Sequence, residues 1–111
     1  MAVRTIIFRG KRIDNGEWVY GFIVKMFGTY HIIDKDDENT AYEVDPSTVS
    51  QDTGLKDKNG KRIFENGYMI IDKQTYKVLF DNGEYILKNI FNCDIIQLKN
   101  NSNIGVFVDE I

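Results

Sequence analysis

The residue types that most often carry catalysis are scarce in this chain. The single histidine, His31, lies in an apolar run typical of a strand, and the single cysteine, Cys93, precedes another such run. None of the three serines (Ser47, Ser50, Ser102) sits on a recognisable nucleophile turn. A serine or thiol nucleophile needs an adjacent base to become reactive. We therefore predict that the protein is not an enzyme.

Metal and nucleotide sites are not indicated either. One cysteine and one histidine fall short of the four ligands of a structural zinc site, and no Gly-rich dinucleotide motif or P-loop occurs. The stretch that begins at Asp34 has the alternating carboxylates of a calcium loop. However, Asn39 stands where that loop needs glycine, and Asp45 stands where it needs a bidentate glutamate. We predict no cofactor.

Charge is the remaining feature that could direct binding. The net charge is −3, and it is unevenly spread: residues 34–45 hold six acids against one lysine, and residues 56–62 hold four bases against one aspartate. The plain interpretation is two solvated loops. The sharper hypothesis is that the acidic edge of one copy meets the basic edge of another. Its candidate interaction surface comprises Asp34, Asp36, Asp37, Glu38, Lys56, Lys58, Lys61 and Arg62.

The basic segment also supports an alternative hypothesis, a small β-barrel that binds single-stranded nucleic acid. Phe64 and Tyr68 lie close to the segment in sequence, and basic grooves lined with aromatics bind single strands by charge and stacking. The sequence pI of about 5.1 opposes this hypothesis, because affinity for nucleic acid comes largely from phosphate neutralisation. Self-association and protein binding are the favoured prediction, and nucleic-acid binding is the alternative.

Short strands and tight turns must position these residues. Asn-Gly pairs at residues 15–16, 59–60, 66–67 and 82–83 predict type I′ hairpin turns, since both residues tolerate positive φ. Residues 75–88 form the clearest hairpin. The Asp45-Pro46 pair predicts one helical turn near residues 46–51. Apolar residues alternate along a further strand and share one face: Trp18, Tyr20, Phe22, Val24 and Met26. Trp18, at the head of this strand, is either a core residue or an anchor for a partner.

These elements predict a mainly β fold, a hairpin-rich small SH3-like barrel with an N-terminal β layer and one short helical turn. Residues 1–111 form a single domain, with an N-terminal β lobe at 1–44, a connecting segment at 45–59 and the barrel at 60–111. No apolar run approaches the ~20 residues that span a bilayer, and one cysteine forms no internal disulfide. We expect no membrane association and a cytoplasmic location.

Residues 44–66 resemble the signature of the YopX family of phage and prophage proteins, most specifically in the run Thr53-Gly54-Leu55-Lys56-Asp57-Lys58-Asn59-Gly60. The segments at 7–10 and 18–21 are similar to that family too. The chain departs from it at Asn66-Gly67, where Gly-Asp is common. The resemblance implies a small, mostly β homo-oligomer in a bacterial host, with a phage or host protein as a further partner. It transfers no catalytic residue, and it marks family-motif positions of unassigned role: Thr53, Gly54, Leu55, Asp57, Asn59 and Gly60.

Overall fold

The computed structural model describes residues 6–110, so the first five residues of the predicted N-terminal lobe lie outside the described range. The described part is mainly β, as predicted, and its strands form two antiparallel sheets. The strands are β1 (Phe8–Lys11), β2 (Trp18–Met26), β3 (Thr29–Asp34), β4 (Ala41–Glu43), β5 (Ser50–Lys56), β6 (Arg62–Phe64), β7 (Tyr68–Ile71), β8 (Gln74–Asp81), β9 (Glu84–Asn89), β10 (Ile95–Gln97) and β11 (Val106–Val108).

The chain divides into two compact units, Met1–Asp52 and Thr53–Ile111. The boundary falls inside β5, within the segment 45–59. In the first unit the strand order is β4-β3-β2-β1-β5. In the second unit the end of β5 pairs with β6, and the remaining strands form a sheet with the order β10-β9-β8-β7-β11.

In the first unit one sheet face holds the core. Gly10 and Gly21 lie on this face beside Ile32 and Val44, which are 0% and 1% exposed. The opposite face carries the alternating stripe on β2, whose residues share a face as predicted. Its five side chains are half-buried or exposed, with Phe22 at 40%. On the core face Gly10 leaves room for Val44, because a Cβ atom at Gly10 would lie 3.1 Å from the Cβ atom of Val44.

The predicted helical turn is present as a 3-10 helix, Pro46–Thr48. The Asp45 carboxylate caps it by accepting the N–H of Ser47 at 3.0 Å, and Pro46 occupies the first helical position. The helix ends earlier than predicted. The Thr48 hydroxyl accepts the N–H of Lys11 at 2.8 Å, and β5 begins two residues later, so the chain is drawn into the sheet.

In the second unit the core lies on one face of the five-stranded sheet. Met69, Val78 and Leu87 are fully buried on this face, and Phe107 packs on Phe64 with ring centroids 6.5 Å apart. Leu98, in a 3-10 helix that follows β10, is also fully buried. Tyr68 and Ile70 alternate with the core residues of β7 and therefore lie on the other face.

The predicted closed SH3-like barrel at residues 60–111 is not found in the described residues. The five-stranded sheet stays open, with β10 at one edge and β11 at the other. Each edge strand has only three residues. The segment that joins them contains two 3-10 helices and adds no strand, so the two edges do not pair.

The type I′ prediction holds at only one of the four Asn-Gly pairs. Asn82 and Gly83 both have positive φ and form a two-residue loop between paired strands. At residues 15–16 and 59–60 only the glycine has positive φ, and at 66–67 only the asparagine does. The register instead forces the two-residue reversals at Phe27-Gly28 and Asp72-Lys73 into positive φ.

Candidate interaction surfaces

The family motif forms the β5–β6 hairpin. Thr53 donates its hydroxyl to the carbonyl of Ile63 at 2.7 Å, which ties the two strands together. The turn begins at Asp57, whose carbonyl accepts the N–H of Gly60 at 3.0 Å and whose N–H donates to Lys61 at 2.8 Å. Gly60 has a φ of 80°, which is the left-handed conformation that a three-residue hairpin loop needs at its last position.

Asp57 is the polar centre of this hairpin, and its side chain is only 5% exposed. One carboxylate oxygen accepts the N–H groups of Asn59 and Lys61, each at 2.9 Å. The other accepts the N–H of Phe107 in β11 at 2.8 Å. Burial raises the pKa of Asp57, but the three N–H donors outweigh burial and hold the pKa below its usual value. The motif aspartate therefore binds the hairpin to β11.

The basic side chains of the motif project from this hairpin. All four, Lys56, Lys58, Lys61 and Arg62, are exposed. The backbone N–H of Lys58 donates to the carbonyl of Gly105 at 3.1 Å, so the turn is held in place. The Lys61 ammonium lies 3.6 Å from the Asp109 carboxylate and 5.4 Å from the centre of the Phe107 ring.

The predicted acidic residues form the β3–β4 turn. Asp34 accepts the N–H of Asp36 at 2.8 Å. Asp37 accepts the N–H of Asn39 at 3.1 Å and the hydroxyl of Thr40 at 2.6 Å. The Thr40 hydroxyl, with the Asn39 N–H, lowers the pKa of Asp37.

The acidic turn is therefore fixed by its own carboxylates. Asp34 is half-buried, whereas Asp36, Asp37 and Glu38 are exposed. Lys35 pairs with Asp36 at 2.7 Å. Within residues 6–110 no group of three or more His, Cys, Asp or Glu side chains is arranged to hold a metal ion.

The polar residues first considered for catalysis are used in other ways. His31 is half-buried opposite Glu43 on β4, and its buried Nδ1 has no hydrogen-bond partner. Cys93 is exposed in the loop after β9, with a φ of 64°. The Ser50 hydroxyl accepts Nε–H of the buried Arg9 at 2.9 Å, and Ser47 belongs to the cap of the 3-10 helix.

Trp18, which the sequence left open as a core residue or a partner anchor, stacks with cations. The guanidinium carbon of Arg9 lies 4.1 Å from the centre of the Trp18 ring, and the Lys11 ammonium lies 5.4 Å from it. Arg9 is 1% exposed and Trp18 is half-buried. The tryptophan therefore shields a buried charge within the first unit.

Two exposed aromatics were missed from the sequence. Phe27 is fully exposed at the tip of the β2–β3 hairpin and has a φ of 52°, which is unusual for a bulky side chain. Phe91, 86% exposed, is held by the Asn89 side chain, which accepts its N–H at 2.9 Å. The sequence does hold a signal for the exposure of Phe27, because this residue precedes Gly28 in the turn between two alternating runs.

These features define a small, mainly β protein whose distinctive surfaces are fixed, oppositely charged turns. Within the described range no helix is both long and apolar enough to cross a membrane. A family model described as YopX protein matches residues 7–108, and the chain belongs to this family. The resemblance seen in the motif at residues 53–60 is thereby confirmed over nearly the whole chain. No curated protein matches the chain.

Proposed function

We propose that this protein is a non-enzymatic accessory protein of a phage or prophage, which acts in the bacterial cytoplasm through self-association and protein binding. The observation that carries the proposal is the pair of exposed turns of opposite charge, 34–38 and 56–62. Both are fixed by their own hydrogen bonds. A rigid charged turn loses little conformational entropy on binding, so complementary charge contributes to specificity and to the rate of encounter.

Two details favour a protein partner over a nucleic acid. Of the two aromatics expected to stack on bases, Phe64 is 2% exposed and packs in the core, and Tyr68 is half-buried. The Asp109 carboxylate already neutralises part of the charge of Lys61. Neither of these two aromatics is fully exposed beside the basic turn, which disfavours stacking on single strands. A head-to-tail contact between the basic turn of one copy and the acidic turn of the next needs no such ring.

The test is light scattering of purified protein over a broad concentration range. We expect the wild type to associate and the variant Lys58→Gln/Lys61→Gln/Arg62→Gln to associate more weakly. Lys25→Gln/Lys73→Gln/Lys99→Gln is the matched control, since it removes three exposed charges elsewhere and should associate normally. Equal association of both variants would contradict the loop contact. Salt-dependent binding of a labelled single-stranded oligonucleotide, lost in the first variant, would favour the nucleic-acid hypothesis.

A further inference from the structure

The outer face of the β8–β9 hairpin carries a regular charge pattern. Residues at alternate positions share a face of a sheet, and directly paired residues share the same face. The face opposite the core therefore holds a lysine pair, an apolar pair and an acidic pair in succession: Lys77 opposite Lys88, Leu79 opposite Ile86, and Asp81 opposite Glu84.

Both like-charge pairs oppose the stability of a single chain, because like charges directly opposite across strands destabilise a sheet. Lys88, Asp81 and Glu84 are exposed and Lys77 is half-buried. Within residues 6–110 none of these four side chains forms a hydrogen bond or ion pair. The lysine pair is also flanked by apolar side chains, with Ile95 opposite Lys88 and Tyr68 opposite Lys77.

The pattern is self-complementary under one twofold axis. Lys77 and Asp81 lie two residues on either side of Leu79, and Lys88 and Glu84 lie two residues on either side of Ile86. A twofold axis between the two sheets, parallel to the line from Leu79 to Ile86, places each strand antiparallel to the same strand of the second copy. Each lysine of one copy then meets an acid of the other. An axis along the strands would instead bring lysine onto lysine.

We infer that this face binds the same face of a second copy, as an isologous dimer. The contact forms four intermolecular ion pairs, two of Lys77 with Asp81 and two of Lys88 with Glu84. Stacked sheets lie about 10 Å apart, a gap that paired lysine and carboxylate side chains can span. Both like-charge pairs of the single chain thereby gain opposite charges.

This inference rests on the proposed self-association and adds a contact distinct from the charged turns. Ile86 is already 7% exposed in the single chain and Leu79 is half-buried. The centre of the contact therefore gains little apolar burial, and the charges must supply most of its specificity. Added salt should weaken it.

The test uses two complementary full-length variants in sedimentation velocity experiments. Lys77→Glu/Lys88→Glu makes the face wholly acidic, and Asp81→Lys/Glu84→Lys makes it wholly basic. Each alone should dimerise at least ~100-fold more weakly than wild type, because like charges across an interface cost several kcal/mol. Their equimolar mixture should form a heterodimer. Combining all four changes in one chain inverts the pattern and should restore the homodimer.

Formation of the heterodimer in the mixture also shows that both variants are folded, so loss of the homodimer is not mistaken for unfolding. A folded mixture that forms no heterodimer would overturn the inference. If the face variants associate like wild type while Lys58→Gln/Lys61→Gln/Arg62→Gln does not, the twofold contact is wrong and the proposed loop contact stands. A wild type that stays monomeric throughout contradicts the proposed self-association itself.

Discussion

Asp57 shows how a residue inside a basic run can be structural. Removing its carboxylate in Asp57→Ala leaves three backbone N–H groups without acceptors. We expect a loss of about 3 kcal/mol in the free energy of unfolding, since each unsatisfied buried donor costs roughly 1–3 kcal/mol. Urea denaturation measures the loss. Asp72→Asn, at an exposed turn position, is the control and should change stability by less than about 0.5 kcal/mol.

The same carboxylate gives the stability of the protein a pH dependence of known sign. Its pKa is lower in the folded chain than in the unfolded chain. The stabilisation is therefore fully present above the unfolded value of about 3.9 and is lost as the pH falls through the folded pKa. Unfolding curves between pH 7 and pH 2 should show that the free energy of unfolding falls more steeply on acidification for the wild type than for Asp57→Asn. Parallel curves would contradict this assignment.

Phe27 occupies a backbone conformation that its side chain disfavours. At a φ of 52° and full exposure, it gains no packing that offsets the strain. Asparagine adopts positive φ more readily, so Phe27→Asn should raise the free energy of unfolding by about 1 kcal/mol, the lower end of the cost of a non-glycine residue in the left-handed region. Thermal unfolding tests this. Phe91→Asn is the control, because Phe91 is exposed without positive φ and should show no such gain.

At the level of elements, Gly21 sets the contact between β2 and β3. A Cβ atom here would overlap the carbonyl oxygen of Ile33 and lie 2.9 Å from the backbone nitrogen of Lys35. Backbone atoms cannot move aside without breaking the ladder, so Gly21→Ala should cost at least ~2 kcal/mol in chemical denaturation. Gly16→Asn is the control, since a Cβ atom at this position would meet open space and asparagine tolerates the φ of 71°. Equal stability of the two variants would contradict the argument.

Strand pairing explains which elements the sequence could predict. Alternation identified β2 and the β8–β9 hairpin, because a period of two survives in any sheet environment. The turn types were less predictable. Phe27-Gly28 and Asp72-Lys73 reverse direction with positive φ because the strands on either side fix a two-residue loop. There, sheet register outweighs local residue preference.

The candidate site was predictable only where it depends on local charge. The acidic and basic turns lie where the charge runs placed them and are exposed. The role of Asp57 could not be foreseen, because its partner Phe107 is 50 residues away in sequence. The stripe on β2 was predictable only in part: alternation shows that Trp18 to Met26 share a face, but not which face other chain segments cover.

At the scale of the whole molecule, we propose that the chain works by associating with copies of itself through complementary charge. The net charge of −3 is small, and the charge is unevenly spread, with an acidic run at residues 34–45 and a basic run at residues 56–62. Association should therefore weaken as ionic strength rises, because the Debye length falls from about 10 Å at 0.1 M salt to about 3 Å at 1 M. An association driven mainly by apolar burial would not weaken in this way.

The decisive experiment for this proposal is sedimentation velocity of the wild type over a wide concentration range at 0.05 M and 0.5 M salt. We expect a sedimentation coefficient that rises with concentration at low salt and falls back towards the monomer value at high salt. A single monomeric species at every concentration in both buffers would contradict it.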